Sequence, residues 1–222
     1  MQQSEDIVLE AGEDRLNGTL TIPEQATAIV MFVHGSGSSR FSPRNKIVAG
    51  EINKAGLATL LFDLLTAQED ITDQLTSEFR FNVPLLAGRL IDSIDWLQCH
   101  ESSKDLPIGL FGTNTGAAAA LIAAAEFPNK IGALVSLGGR TDMASEALPG
   151  VRAPTLLIVG GYDDEALKIN RAASDLLSTE HRLEIVPAAT HSFREPGRLE
   201  QATQLARDWF MQYLAPPAAT VG

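Results

Sequence analysis

The stretch Ile108-Gly109-Leu110-Phe111-Gly112-Thr113-Asn114-Thr115-Gly116 decides the fold of this chain. It opens on a short apolar run, passes through glycines that bracket Asn114, and leads into an alanine-rich segment, 116–126. An apolar run without polar alternation suits a strand covered on both faces. The small-faced segment after it suits a helix packed close against a sheet. A strand that turns at once into a helix needs glycine wherever the two backbones meet. The central residue of such a turn takes a positive φ, which asparagine tolerates better than most other side chains.

Working outward, apolar runs of the same kind recur at 28–33, 58–62, 131–135, 155–159 and 183–186. Between them lie helical stripes. Ile47, Val48, Ile52 and Ala55 share one face, and Leu85, Leu86, Leu90, Ile91, Ile94 and Leu97 share another. Leu199, Ala202, Leu205, Ala206, Trp209, Phe210 and Tyr213 make the last stripe. Strand–helix alternation predicts a parallel sheet with helices on both faces. The beginning differs. Ile7 to Leu9 reads as a short strand, Ala11-Gly12-Glu13-Asp14 as a turn, and Leu16, Leu20 and Ile22 alternate with polar residues. That is the period of a half-buried antiparallel hairpin. The expectation is a mostly parallel, twisted sheet of about eight strands with an N-terminal antiparallel hairpin. Residues 65–80 read as a long, acid-rich polar connection. No repeat or linker divides the chain, so residues 1–214 are expected to form a single domain. The Pro- and Ala-rich tail, 215–222, is expected to be frayed.

Bulk properties narrow the function. The 222 residues are 45% hydrophobic and 20% charged, enough for one sizeable core. A formal net charge of -11 repels phosphate backbones, so nucleic acid is not an expected partner. Neither a basic amphipathic stretch nor an apolar run of ~18 residues points to a membrane. The single cysteine, Cys99, cannot form an internal disulfide, and with a start that lacks a leader pattern this suits a cytoplasmic protein. No Cys/His/Asp cluster has metal spacing, so no metal or other cofactor is expected.

In open α/β sheets, chemistry gathers at the carboxyl ends of the strands. Past residue 111, Gly112-Thr113-Asn114-Thr115-Gly116 has the frame of a Gly-x-Ser-x-Gly nucleophile turn, with asparagine at its centre. Past 159 stands Asp163, and past 186 stands His191. The order of turn, acid and histidine is that of a Ser-His-Asp hydrolase triad. Past 33 comes His34-Gly35-Ser36-Gly37. Its Ser36 N–H, with that of Thr115, is placed to form an oxyanion hole. Each feature alone is weak. Asp163 precedes a helix and would serve as a cap, and a lone loop histidine is commonly a surface residue. Their joint order carries the reading. His34 is expected to hold its loop by a hydrogen bond. Arg40 and Arg140, on loops at the same edge, are candidates for holding a ligand carboxylate or phosphate. The alternative is that each secures its own loop.

These features resemble the dienelactone hydrolase family of the α/β-hydrolase superfamily. The resemblance is carried by residues 34–40 (His34-Gly35-Ser36-Gly37-Ser38-Ser39-Arg40), by Ser42-Pro43-Arg44-Asn45, by Gly138-Gly139-Arg140, and by the strings 55–61 and 153–161. It is similar in particular to a bacterial subgroup of small hydrolase-like proteins sometimes fused to phosphoribosyltransferase domains. The resemblance implies the α/β-hydrolase fold, a Ser or Cys nucleophile, Asp163 and His191 as its partners, and a small-molecule ester or lactone substrate. By family analogy alone it implies a phosphoribosyltransferase-related association. Asn114 departs from it, so ordinary serine-esterase activity is expected to be weak or absent. Three routes around that loss exist: direct activation of water by His191, substitution by Thr113 or Thr115, and deamidation of Asn114. The connection 137–153 is too short for a cap domain, so a small, open pocket is expected.

Overall fold

The computed structural model describes residues 2–35 and 37–214. One eight-stranded sheet runs through it in the order β1-β2-β4-β3-β5-β6-β7-β8. The hairpin of β1 (Gln2–Ala11) and β2 (Asp14–Pro23) closes at Ala11 opposite Asp14, with Gly12 at φ 61° in the turn. Strand β2 pairs antiparallel to β4 (Ala58–Phe62). From there β3 (Ile29–Val33), β5 (Ile108–Thr113), β6 (Ile131–Leu137), β7 (Thr155–Gly160) and β8 (His181–Val186) continue in parallel.

The two faces of the sheet bury separate halves of the core, and the pleat sorts them. Ile29, Met31 and Val33 of β3 face a cluster with α3 (Val83–Cys99) and α4 (Thr115–Glu126). Val30 and Phe32 face the other way, toward α1 (Pro43–Lys54) and α6 (Arg198–Leu214). This is the period-2 alternation of a strand, hidden in the sequence because both faces are apolar. Phe32 and Phe111 meet on the α6 side with ring centroids 4.9 Å apart. Each such buried side chain contributes roughly 1.5–3 kcal/mol. Trp96 packs against one cluster and Trp209 lies within the other.

Two elements extend beyond the sequence reading. Strand β1 begins at Gln2 rather than at Ile7, because backbone pairing with β2 carries the polar residues that precede the apolar ones. The polar connection 65–80 contains a helix, α2 (Ala67–Thr76). A capping box between Thr66 and Glu69 starts it. Buried Asp73 fastens its end by accepting from the N–H groups of Phe79 and Arg80 and from Arg80 Nε at 2.6 Å. Polar contacts build this helix and no apolar stripe faces the core, so hydrophobic periodicity could not reveal it; Ile71 and Leu75 remain exposed. The connection 138–153 holds only two short 3-10 turns, Thr141–Ala144 and Leu148–Gly150. Among the described residues no helix is long and apolar enough to cross a membrane. The expected tail, 215–222, lies outside the described residues.

Candidate active site

Strand β5 ends at Thr113, α4 starts at Thr115, and Asn114 alone makes the turn between them. Its backbone sits at φ 50°, ψ -125°. Contact distances explain the glycines. A Cβ on Gly116 would stand 2.2 Å from the carbonyl oxygen of Val33, and one on Gly112 would stand 2.5 Å from the Cα of Ala117. A Cβ on Gly35, in the loop after β3, would stand 2.5 Å from the Cβ of Asn114. The turn is therefore wedged between its own helix and the β3 loop, a packing only glycine permits. The carbonyl of Asn114 accepts from the N–H groups of Ala117 and Arg140, each at 3.1 Å. The carboxamide is not spent on capping α4.

Helix α5 (Asp164–Leu176) begins immediately after Asp163. The Asp163 carboxylate has two partners: Oδ1 accepts the N–H of Ala166 at 3.1 Å as a helix cap, and Oδ2 lies 2.7 Å from Nδ1 of His191. One oxygen thus caps the helix while the other meets the histidine. A ring that donates Nδ1–H to this carboxylate presents Nε2 on its other side. The Asp163 side chain is 14% exposed and that of His191 is 47% exposed. The imidazole packs over Gly138, where a Cβ would come within 3.4 Å of Cε1. Gly138 and Arg140 belong to the loop leaving β6, so this one loop touches the ring of His191 and donates to the carbonyl of Asn114. That part of Arg140 is played by its backbone and so was not legible from its side chain.

Thr113 and Thr115 are buried. The Thr113 hydroxyl accepts the N–H of Gly35 at 3.1 Å, so it locks the β3 loop to the end of β5 rather than facing a ligand. Ser36 lies outside the described residues.

His34 is buried, and Nε2 accepts the N–H of Leu64 at 3.3 Å while Nδ1 lies 3.3 Å from the carbonyl of Gly35. Burial drives its pKa below the ordinary 6.5, against the opposing pull of the Gly35 carbonyl, Asp63 and Asp70. It is thus a neutral ring fixing two loops. Arg40 pairs with Asp63 through both its backbone N–H and its guanidinium. Arg140 makes two bonds to Asp142, at 2.9 and 2.7 Å. These bonds raise the pKa of Arg140 and lower that of Asp142. Both arginines are thus engaged by carboxylates near their own loops. The described residues contain no cluster of metal-binding side chains. Beside the histidine loop, a cleft of about 640 Å³ opens between the start of α1 and residues 192–200. Its arginines, Arg44 and Arg194, were passed over in the sequence, although Arg44 stands in the string Ser42-Pro43-Arg44-Asn45.

Comparison with known proteins agrees with this frame. The family model described as the dienelactone hydrolase family matches residues 16–215. The crystal structure of a dienelactone hydrolase from Anabaena variabilis superposes with a TM-score of 0.95 at 52% identity, covering 96% of this chain and 99% of that one. A Mycobacterium tuberculosis protein (strain H37Rv) with the provisional name phosphoribosyl transferase is 47% identical over 215 residues, which are 97% of this chain and 48% of that protein. The chain thus spans about half the length of the curated relatives it matches. Est1E from Butyrivibrio proteoclasticus shares the fold alone, with a TM-score of 0.77 at 15% identity, covering 93% of this chain and 98% of that one. With the match running from the second strand of the hairpin through the last helix, the chain belongs to the dienelactone hydrolase family.

Proposed function

We propose that this family member, of ester- or lactone-hydrolase ancestry, has weak or no serine-type esterase activity. The observation that carries the reading is the carboxamide of Asn114 at the tip of an otherwise complete elbow. An acyl-enzyme requires an oxygen or sulfur that sheds its proton as it attacks. An amide nitrogen, delocalised into its carbonyl, is a very poor nucleophile. Removing the nucleophile from such a triad costs about a millionfold in turnover, while about 10³–10⁴ over water survives from binding and the oxyanion hole. In this proposal His191 occupies the base position and Asp163 orients it. The backbone N–H of Thr115, at the start of α4, is assigned in this proposal to the oxyanion hole. Without a nucleophile, the dyad retains only the capacity to polarise a water molecule held against Nε2.

The test is turnover of p-nitrophenyl acetate by the native chain beside Asn114→Ser, with labelling of both by a fluorophosphonate. The native chain is expected to stay near background and unlabelled. The variant is expected to react with the probe and to turn over at least about 10²-fold faster. Equal turnover, or labelling of the native chain, overturns the reading.

A second reading is a non-catalytic protein that binds a small anion in the retained pocket, and the open cleft beside His191 favours it. Arg40 and Arg140 are less suited to hold that anion, since a ligand would have to displace Asp63 or Asp142. The name carried by the longer relatives supports an association with a phosphoribosyltransferase as a further part of this proposal.

A further inference from the structure

The cleft between the start of α1 and residues 192–200 carries a charge arrangement that the elbow does not use. Arg44 and Arg194 both line it. Among the described residues the arginines that form ion pairs are Arg40, Arg80, Arg89, Arg140, Arg182 and Arg207; Arg44 and Arg194 are not among them. Burial and the like charge of Arg194 push the pKa of Arg44 down, with no carboxylate opposing them. Arg44 also stands in the first turn of α1, which contains no acid. The positive end of a helix disfavours a cation there. Two guanidinia and a helix N-terminus thus converge on one cavity, in a chain of net charge -11 that has carboxylates to spare.

We infer that Arg44 and Arg194 form a subsite for a dianionic group, a phosphomonoester, seated in this cleft against the first turn of α1. The number of unpaired guanidinia, not the net charge of the cleft, points to the class. Arg44 and Arg194 are in no ion pair among the described residues, and a phosphomonoester, with close to two negative charges at neutral pH and three terminal oxygens, engages both at once where a monoanion engages one. Guanidinium forks match phosphate oxygens in pairs, and the positive end of α1 favours the same ligand, with only the N–H of Arg44 to offer, since Pro43 has none and Ser42 takes those of Asn45 and Lys46. Two carboxylates also line the cleft. Glu195 is turned to Thr190, taking its N–H at 3.1 Å and its hydroxyl at 2.7 Å. Glu200 lies in the first turn of α6. The cleft, about 640 Å³, holds an organic moiety beside the phosphate. Ser192 and Phe193, which follow His191, line the same cleft, so the ligand lies next to the dyad. The inference deepens the anion-binding reading and needs no particular chemistry at Asn114.

The experiment is calorimetric titration of the full chain with phenyl phosphate, inorganic phosphate and acetate at fixed ionic strength. Phenyl phosphate is expected to bind, acetate to bind at least tenfold more weakly, and Arg44→Gln and Arg194→Gln each to weaken phenyl phosphate at least about tenfold. The lysine variants of both positions should fall between. Unchanged affinity in the glutamine variants overturns the site. Acetate binding as well as phenyl phosphate overturns the dianion, and binding of inorganic phosphate alone overturns the ester. Should Arg44→Gln fail to fold, Arg194→Gln, on an exposed loop position, carries the same test. Esterase turnover of Asn114→Ser is read separately, so either result can fail while the other stands.

Discussion

At the scale of single residues, the site turns on what a side chain does for the backbone as against what it does for a ligand. Asn114 meets the backbone demand of the turn, φ 50°, and lacks the chemistry usual there. His34 shows the opposite division. It sits at the carboxyl edge of the sheet, where reactive groups gather, and is a buried, neutral ring between Leu64 and Gly35, holding its loop as the sequence led one to expect. Its depressed pKa has a consequence for stability. The unfolded chain takes up a proton near 6.5, before the folded chain does. Stability from this residue is therefore full above that pH and is lost as pH falls toward the lower folded value. The melting temperature should drop on acidification just below pH 6.5, and His34→Gln should flatten that part of the curve. A slope identical to that of the native chain would assign the acid sensitivity to other groups.

At the scale of elements, the strand–elbow–helix unit is held by backbone contact more than by side-chain volume. Gly116→Ala places a methyl 2.2 Å from the carbonyl oxygen of Val33, so β3 and α4 must separate. We expect a loss of about 4 kcal/mol, in the range reserved for a forced backbone clash. Urea denaturation followed by circular dichroism measures it, and a loss under about 1 kcal/mol would show that the helix slides aside at little cost. This unit was legible in the sequence because its glycines and its small-faced helix have no alternative use. The positions of Asp163 and His191 were legible for a related reason: each stands a few residues past a strand, although β7 is buried along its whole length whereas β8 carries Arg182 and Glu184. Helix α2 was not, because hydrogen bonds between Thr66 and Glu69 and those that Asp73 accepts hold it and leave no hydrophobic period. Nor was the Arg44–Arg194 pair, since sequence spacing does not report that α1 and the loop after β8 border one cleft.

At the scale of the whole molecule, one sheet divides the core and each face has its own tryptophan, Trp96 on the α3 side and Trp209 on the α6 side. Every strand from β3 to β7 contributes to both faces, so neither half can melt and leave the other its sheet. Trp96→Phe and Trp209→Phe each leave one fluorescent reporter. Their urea transitions are expected to share the midpoint seen by circular dichroism in the same variant; midpoints that diverge between face and backbone would mean the layers unfold apart. The double duty of Asp163 bears on how such a molecule changes over generations. Its Oδ1 anchors α5 whether or not its Oδ2 serves any reaction. Selection for a well-folded chain therefore keeps a capping side chain at this position, which Asp, Asn or Ser can supply, and an acid kept there also holds the orientation of His191 whatever the turnover. A lineage that exchanged serine for asparagine at the elbow would keep a ready partner for the reverse exchange, stored in the architecture and not in the chemistry.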